Sequence, residues 1–508
     1  LVGHNIIGYD LPVISSLLGI EYTGDVIDTL IVSKLVAYSN RRKHSIEGYG
    51  EEFGLEKIKF NDWTKWSQEM EDYCVRDTDI AHRIYNHYIR IIDDPSWRMS
   101  LRTEHDFEHF VINDLHRNGF AFNDTRARSL LDKVLKDLEA LDKEIQDAFP
   151  PKLKMVREVT PKLTKHGTLS RTDFRFVADG DLSEYNGGPF CRCTWVPFNA
   201  DSHKQRIDVL SAAGWKPIDK TTGHIELERE INSIKRDRDP DKDLRLTELS
   251  AKMLIMGRYG FKINETNLET LPSTAPSPAR LLAKRIMLES RRRSLVEWLG
   301  LVNPDTGRIH GKFYGIGAWT HRMAHQEPNT ANIPNEFDLA GKKKLLGKEL
   351  RALWIAPKGR LLTGVDAEGI QLRIFAHYID DAEFTEALVR GRKDDKSDPH
   401  SLNQRILGSV CKSRAAAKRF IYALLLGAGI SKLGQILEAS EDGTKAALGR
   451  LMERYQGFTH LKKHVIPTDA KRGWFVGLDG RRVPIPGDTP GERRHLCMSG
   501  YLQNGEAI

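Results

Sequence analysis

The sequence predicts a multidomain protein of the α+β class. A chain of 508 residues exceeds what one hydrophobic core organises, which suggests three or four domains. Short apolar runs that read as strands stand beside long stretches of helical periodicity. The composition is globular, with 40% hydrophobic and 29% charged residues and a mean hydropathy of −0.46. No run of eighteen apolar residues occurs, so no membrane span and no membrane partner are expected.

In chain order, Val2 to Pro12 reads as a strand edge leading to a turn that bears Asn5, Tyr9 and Asp10. Met70 onward is helical through Ile80, Ile84 and Tyr88, and places Tyr73 and Asp77 four apart on one face. Leu101 to Gly119 is helical, and residues 117–123 form a turn. A long helix is predicted from Arg126 to Phe149, with Leu130, Leu131, Val134, Leu135, Leu138, Leu141 and Ile145 on its apolar face. Residues 150–188 are rich in Pro, Gly and charge and read as a loop or insertion. Glu226 to Asp243 is charge-dense and reads as solvated. A β-rich segment opens at Thr306. Leu361 to Asp366 reads as a strand ending in one carboxylate, and a helix-compatible run follows. Arg414 to Leu426 reads as a helix, with Ser413 as N-cap, three alanines inside, and Gly427 and Gly429 as its stop.

Five scattered cysteines argue for a reducing cytosol rather than a disulfide framework. Cys191-Arg-Cys193 beside His203 lacks a second pair at metal spacing, so zinc is not assigned. The net charge of +7 is unevenly placed. Residues 401–508 carry 17 Lys and Arg against 9 Asp and Glu, a local excess of +8, while the rest is close to neutral. A polyanionic partner suits that segment.

Arg414, Lys418 and Tyr422 lie four apart, so each step turns only about 40° around the helix. Two cations and a phenol therefore share one face, with a carboxylate at Asp366 earlier in the chain. A triphosphate needs cationic partners and a metal ion needs a carboxylate, so the combination reads as a nucleotide site. Either piece alone is usually a solvated helix face or a turn aspartate.

The order of these pieces resembles the family A DNA polymerases. The block D-x-x-G-x-Q-L-R from Asp366 to Arg373 precedes R-x3-K-x3-Y from Arg414 to Tyr422. Asp398-Pro-His400 is similar to the fingers motif whose His touches a triphosphate oxygen. Thr320-His-Arg322, with Asn329, Asn332-Ile-Pro after it, resembles the run whose Arg approaches the minor groove of the primer–template. His321 stands where Gly is usual. Leu478-Asp-Gly-Arg-Arg-Val and Tyr501-Leu-Gln503 resemble the return into the palm, with Ser499 in place of the usual Asn. The resemblance implies metal binding by Asp366 and the Ala367 carbonyl, and catalytic roles for Asp366 and Lys418. It implies nucleotide binding by Arg414, Lys418, Tyr422, His400 and Gln371, and DNA binding by Arg322 and Gln503. Gln371 would block a ribose 2′-hydroxyl, where Glu is usual. Leu426 replaces the Tyr common at the helix end.

Near the N-terminus, Asn5-x3-Tyr9-Asp10 with Tyr73-x3-Asp77 resembles the second and third motifs of DnaQ-like (RNase H-like) 3′–5′ exonucleases. There two aspartates hold metal and the Tyr, here Tyr73, orients the attacking water. The implied architecture is an α/β exonuclease domain followed by a hand of palm, fingers and thumb. Its parts are exonuclease at 1–98, a thumb-like helical region at 99–308 with an inserted loop at about 150–190, palm at 309–385, fingers at 386–475 and palm again at 476–508. The implied cofactor is Mg²⁺, two per site, and the implied partners are primer–template DNA and dNTPs. Some phage relatives recruit host thioredoxin through a longer insertion. The one here is short, so that partner is not carried over, and a processivity factor stays unidentified. The implied setting is the cytosol, that of a host cell if the protein is viral. Without an initiator Met, and without a D-x-E motif before Asn5 or an H-D-E motif after Gln503, the sequence is expected to be an internal piece. Two alternatives stand beside this reading. A single-subunit RNA polymerase would place Gly at position 371, and a catalytically degenerate DNA-binding protein would be expected to lose the ligands present here.

Overall fold

The fold is that of a computed structural model, which describes residues 1–39, 43–160, 162–167, 189–235, 242–337, 341 and 343–508. It is a mixture of helices and small ladders, as an α+β chain should be, and all the described strands lie in two-stranded pairs. No described helix is long and apolar enough to cross a membrane. The chain gathers into two compact units, one of residues 122–302 and 333–354, the other of residues 1–121, 303–332 and 355–508. Residues 99–121, grouped by sequence with the thumb-like region, lie in the second of these.

In the first unit the helix Asp124–Ala148 starts at Asn123, whose side chain accepts from the Arg126 amide at 3.0 Å. Its buried Val134, Leu138, Leu141 and Ile145 follow the predicted stripe, and it packs on the helix Ser277–Leu301. Arg285 ties them together by donating to Asp142 and, at 2.8 Å, to Asp201. Asn267 is fully buried and fully used. Its Oδ1 accepts from the Ile218 and Asp219 amides, and its Nδ2 donates to the Asp219 and Lys262 carbonyls. The predicted loop needs correction at one place. Lys152–Val159 is a strand, paired antiparallel with Phe190–Val196. Seven of its eight residues face solvent, so no apolar alternation marks it in the sequence. Residues 161 and 168–188 of that stretch lie outside the described residues, as do 236–241 of the charge-dense segment.

Two cores stand out among the described residues of the other unit. Around residue 400, Phe375, Phe384, Phe420, Tyr455, Phe458, Phe475 and Leu502 are buried together, drawn from helices Ile370–Ile379, Arg414–Leu425 and Pro490–Ala507 among others. The N-terminal core joins Ile7, Val32, Leu35, Tyr49, Ile80, Ile84 and Trp97 with Ile316. A buried ion group links helix Arg98–Phe110 to the hairpin Trp474–Val476/Arg482–Pro484. In it Arg481 donates to Glu104 and, at 2.7 Å, to Asp479. Such a group holds its fold only while every partner is present, because a lone charge left buried is costly.

The expected strand ending at Asp366 is a second correction. Residues 361–367 form no regular secondary structure, with Leu361 and Val365 more than nine-tenths exposed. The local pattern suits a strand, but a strand also needs a neighbour to satisfy its amides, and among the described residues none lies alongside.

Candidate active site

The helix Arg414–Leu425 begins where the Ser413 hydroxyl accepts from the Ala416 amide at 3.1 Å, and it ends before Gly427 at φ 85°. Ala416, Ala417, Phe420, Ile421, Leu424 and Leu425 face the core. That burial turns Arg414, Lys418 and Tyr422 toward the other side. Lys418 is exposed, with no ion pair among the described residues, and Arg414 and Tyr422 are half-buried. The ring of His400 lies 6.1 Å from that of Tyr422.

Arg414 does not hang free. Its Nε donates to both oxygens of Asp398 at 3.0 and 3.1 Å, and its Nη2 donates at 2.8 Å. Asp398 also caps helix Pro399–Leu407, accepting from the His400 amide at 3.0 Å and from the Ser401 hydroxyl. Burial pushes the Asp398 carboxyl up, but the Arg414 guanidinium and these two donors outweigh it and bring it to about 2. Burial, then the charge of Arg414, lowers His400 to about 4, so its ring is neutral near pH 7. Its Nδ1 is buried without a partner. Four of the predicted nucleotide-binding residues thus lie together around Asp398.

Asp366 is exposed, with no hydrogen bond or ion pair among the described residues. Gly369, at φ 63°, starts the helix Ile370–Ile379 in a left-handed conformation that suits glycine. Gln371 in its first turn donates to Glu506 at 3.3 Å, and Arg322 reaches the same carboxylate at 3.5 Å. Gln503, one turn earlier on helix Pro490–Ala507, accepts from the Thr320 hydroxyl at 3.3 Å. Three predicted residues, Arg322, Gln371 and Gln503, therefore converge on one helix end. His321 adopts φ 63°, so the backbone there keeps a glycine-like shape despite the side chain. The ring is buried, and its Nδ1 accepts from Arg481 at 3.1 Å. Burial and that neighbouring cation lower it to about 3.

In the N-terminal region the strand Val2–Gly3 pairs in parallel with Ile27–Asp28. The turn after it is a wide helical turn at Ile6–Asp10 that runs into helix Leu11–Leu18, where an isolated turn was expected. Buried Asp28 accepts from the Asn5, Ile7 and Leu30 amides and so anchors this turn. Asp10 is pushed up, mainly by partial desolvation and then by the charge of Asp28. Tyr73 and Asp77 share a face of helix Gln68–Ile92. Lys57 pairs with Asp77 at 2.8 Å and lies 4.8 Å from the Tyr73 ring. The other Asp77 oxygen is buried and unpartnered. Among the described residues, no group of three or more His, Cys, Asp and Glu side chains gathers to hold an ion. Asp10 and Asp77, expected in one site, and Asp366, expected in another, each lie outside any such group.

Sequence reasoning did not single out Asp398, Lys57 and Glu506, which contact the predicted residues. Asp398 carried a signal, an acidic residue directly before a Pro at N1, which is a cap pattern. Glu506 carried a weaker one, its i, i+3 spacing from Gln503. Lys57 carried none.

The family model for DNA polymerase family A matches residues 242–495, half of the chain. The chain belongs to DNA polymerase family A. It is similar over its whole length to the DNA-directed DNA polymerases of Escherichia phage T7 and Enterobacteria phage T3, 24% identical to each and covering 80% of each. The fold is similar to the POL domain of Pol1 from M. smegmatis, solved with DNA primer–template and dNTP. That match has a TM-score of 0.59 and 17% identity, over 94% of this chain and 69% of that one. The protein is accordingly a phage-type family A polymerase, a nucleotidyltransferase that copies a DNA template. The RNA-polymerase alternative gives way to this assignment.

Proposed function

We propose that primer extension takes place between Asp366 and the helix Arg414–Leu425, with primer–template DNA and dNTPs as substrates. The observation that carries the reading is the shared face of Arg414, Lys418 and Tyr422 with His400 beside it. Arg414, held by Asp398, meets the terminal phosphate through a planar, bidentate fork. Lys418 neutralises charge near the scissile linkage. Neutral His400 donates to a phosphate oxygen through Nε2 while Nδ1 stays buried, and Tyr422 packs on the sugar. Gln371 closes over C2′, and Arg322 and Gln503 contact the minor groove. Asp366 and the Ala367 carbonyl suit Mg²⁺, because the Asp366 carboxylate has no competing partner among the described residues. Mg²⁺ is ordinarily held by one or two carboxylates with substrate phosphates and water. When bound, the metal supplies charge neutralisation on the phosphates and an acidified 3′-hydroxyl.

For the N-terminal region we propose 3′–5′ exonuclease activity, with Asp10 and Asp77 toward metal and Tyr73 toward water. The orphaned oxygen of Asp77 supports that reading, while Lys57 on its other oxygen must share or release it. We assign residues 1–98 to this domain, 99–308 to the thumb-like region, 309–385 and 476–508 to the palm and 386–475 to the fingers. The phage relatives favour work in a host-cell cytosol.

Steady-state primer extension tests the nucleotide site. Arg414→Ala should raise the KM for dNTP about ten- to a hundredfold, the range of a lost charge-assisted hydrogen bond. Primer–template affinity should hold. An unchanged KM would remove Arg414 from phosphate binding.

A further inference from the structure

Glu506 belongs to none of the motifs, yet it touches two residues that do. One oxygen meets Arg322 Nη2 at 3.5 Å, and the other accepts from Gln371 Nε2 at 3.3 Å. Its side chain is about three-quarters buried, while that of Arg322 is half exposed. The helix under it is anchored close by, since Gln503 accepts from the Thr320 hydroxyl and Asn504 donates to the Thr320 carbonyl at 3.2 Å. Glu506 therefore projects from a fixed base.

The chemistry of the contact fixes the orientation of the Gln371 amide. A carboxylate accepts and cannot donate, so the NH₂ group of Gln371 must face Glu506 and its carbonyl oxygen must point away. A glutamate at position 371 would put two carboxylates in contact, and one of them would have to take up a proton or swing away. Glutamine is the residue of that length that can bond this carboxylate without a proton. Arg322 on the far oxygen holds Glu506 from its other side.

We propose that Glu506 is a positioning residue for sugar selection, holding the Gln371 side chain in the rotamer that closes over C2′ of the incoming nucleotide. The proposal rests on the reading of Gln371 as the sugar gate. It adds that the gate is set from a second helix, 135 residues away in the chain.

The test is single-turnover incorporation of dGTP and rGTP, read as the ratio of their efficiencies. Glu506→Ala should lower that ratio about tenfold, as expected for loss of a hydrogen bond to a charged group. Gln371→Glu should lower it in a pH-dependent way. The ratio should be nearest to wild type at low pH, where the paired carboxylates share a proton, and fall as pH rises. The pair Gln371→Glu with Glu506→Gln reverses the hydrogen bond, so it should restore both the ratio and a flat profile. A ratio unchanged in Glu506→Ala, or a double variant no better than Gln371→Glu, would overturn the proposal. Gln371→Ala separates the two layers. If it leaves the ratio unchanged, the gate reading fails. If it relaxes the ratio while Glu506→Ala does not, only the positioning role fails.

Discussion

Asp398→Asn is the most informative single change around the nucleotide site. The carboxylate accepts three contacts from Arg414, plus a backbone amide and a hydroxyl, and its carboxyl falls from 3.8 to about 2. That lowering favours the charged, folded form by roughly 2–3 kcal/mol. Asparagine keeps an oxygen for the His400 amide, so the helix cap survives, while the half-buried guanidinium of Arg414 loses its counter-ion. Asp398→Asn should therefore destabilise the protein by about 2–3 kcal/mol in equilibrium urea unfolding. In a cycle with Arg414→Gln the coupling should be about 1.5–3 kcal/mol. The pH dependence follows from the lowered value. The stabilisation is complete above the unfolded carboxyl range near 4 and fades as pH falls towards 2. Wild type and Asp398→Asn should thus differ fully at pH 6 and converge near pH 2. A coupling below about 0.5 kcal/mol, or a difference that does not change with pH, would refute the account of this pair.

Two further outcomes follow. Lys418→Ala should lower kcat about 10²–10³-fold, the usual loss for one electrostatic donor to a transition state, and a purely raised KM in single-turnover assays would demote it to ground-state binding. Asp77→Ala should stop trimming of single-stranded 3′ ends and spare primer extension, and equal loss of both would point to a folding defect rather than a second site.

Local chemistry was legible, and contacts across the chain were not. The helix Arg414–Leu425 could be read because its cap, its alanines and its terminal glycine all lie within seventeen residues, and each acts on its own backbone. The stripe on Asp124–Ala148 was legible for the same reason. The stretch before Asp366 was misread as a strand because pairing depends on a partner elsewhere, and the pattern of one segment does not supply it. The strand Lys152–Val159 was missed because neither face is buried. The contacts of Glu506 with Gln371 and of Arg481 with Glu104 join partners 135 and 377 residues apart. Asp398 was the exception, 16 residues from Arg414, with a cap pattern that could have drawn attention to it. The substitution at His321 was visible in the sequence, but its anchoring on Arg481 was not.

The central claim is that this chain extends DNA primers through a carboxylate at position 366. Primer extension by wild type and Asp366→Asn, with Mg²⁺ and dNTPs and with primer–template affinity measured on the same samples, tests it most directly. The account predicts that the variant loses extension while keeping DNA affinity nearly intact, because phosphate contacts from Lys and Arg supply that affinity. Extension by Asp366→Asn at the wild-type rate would contradict it.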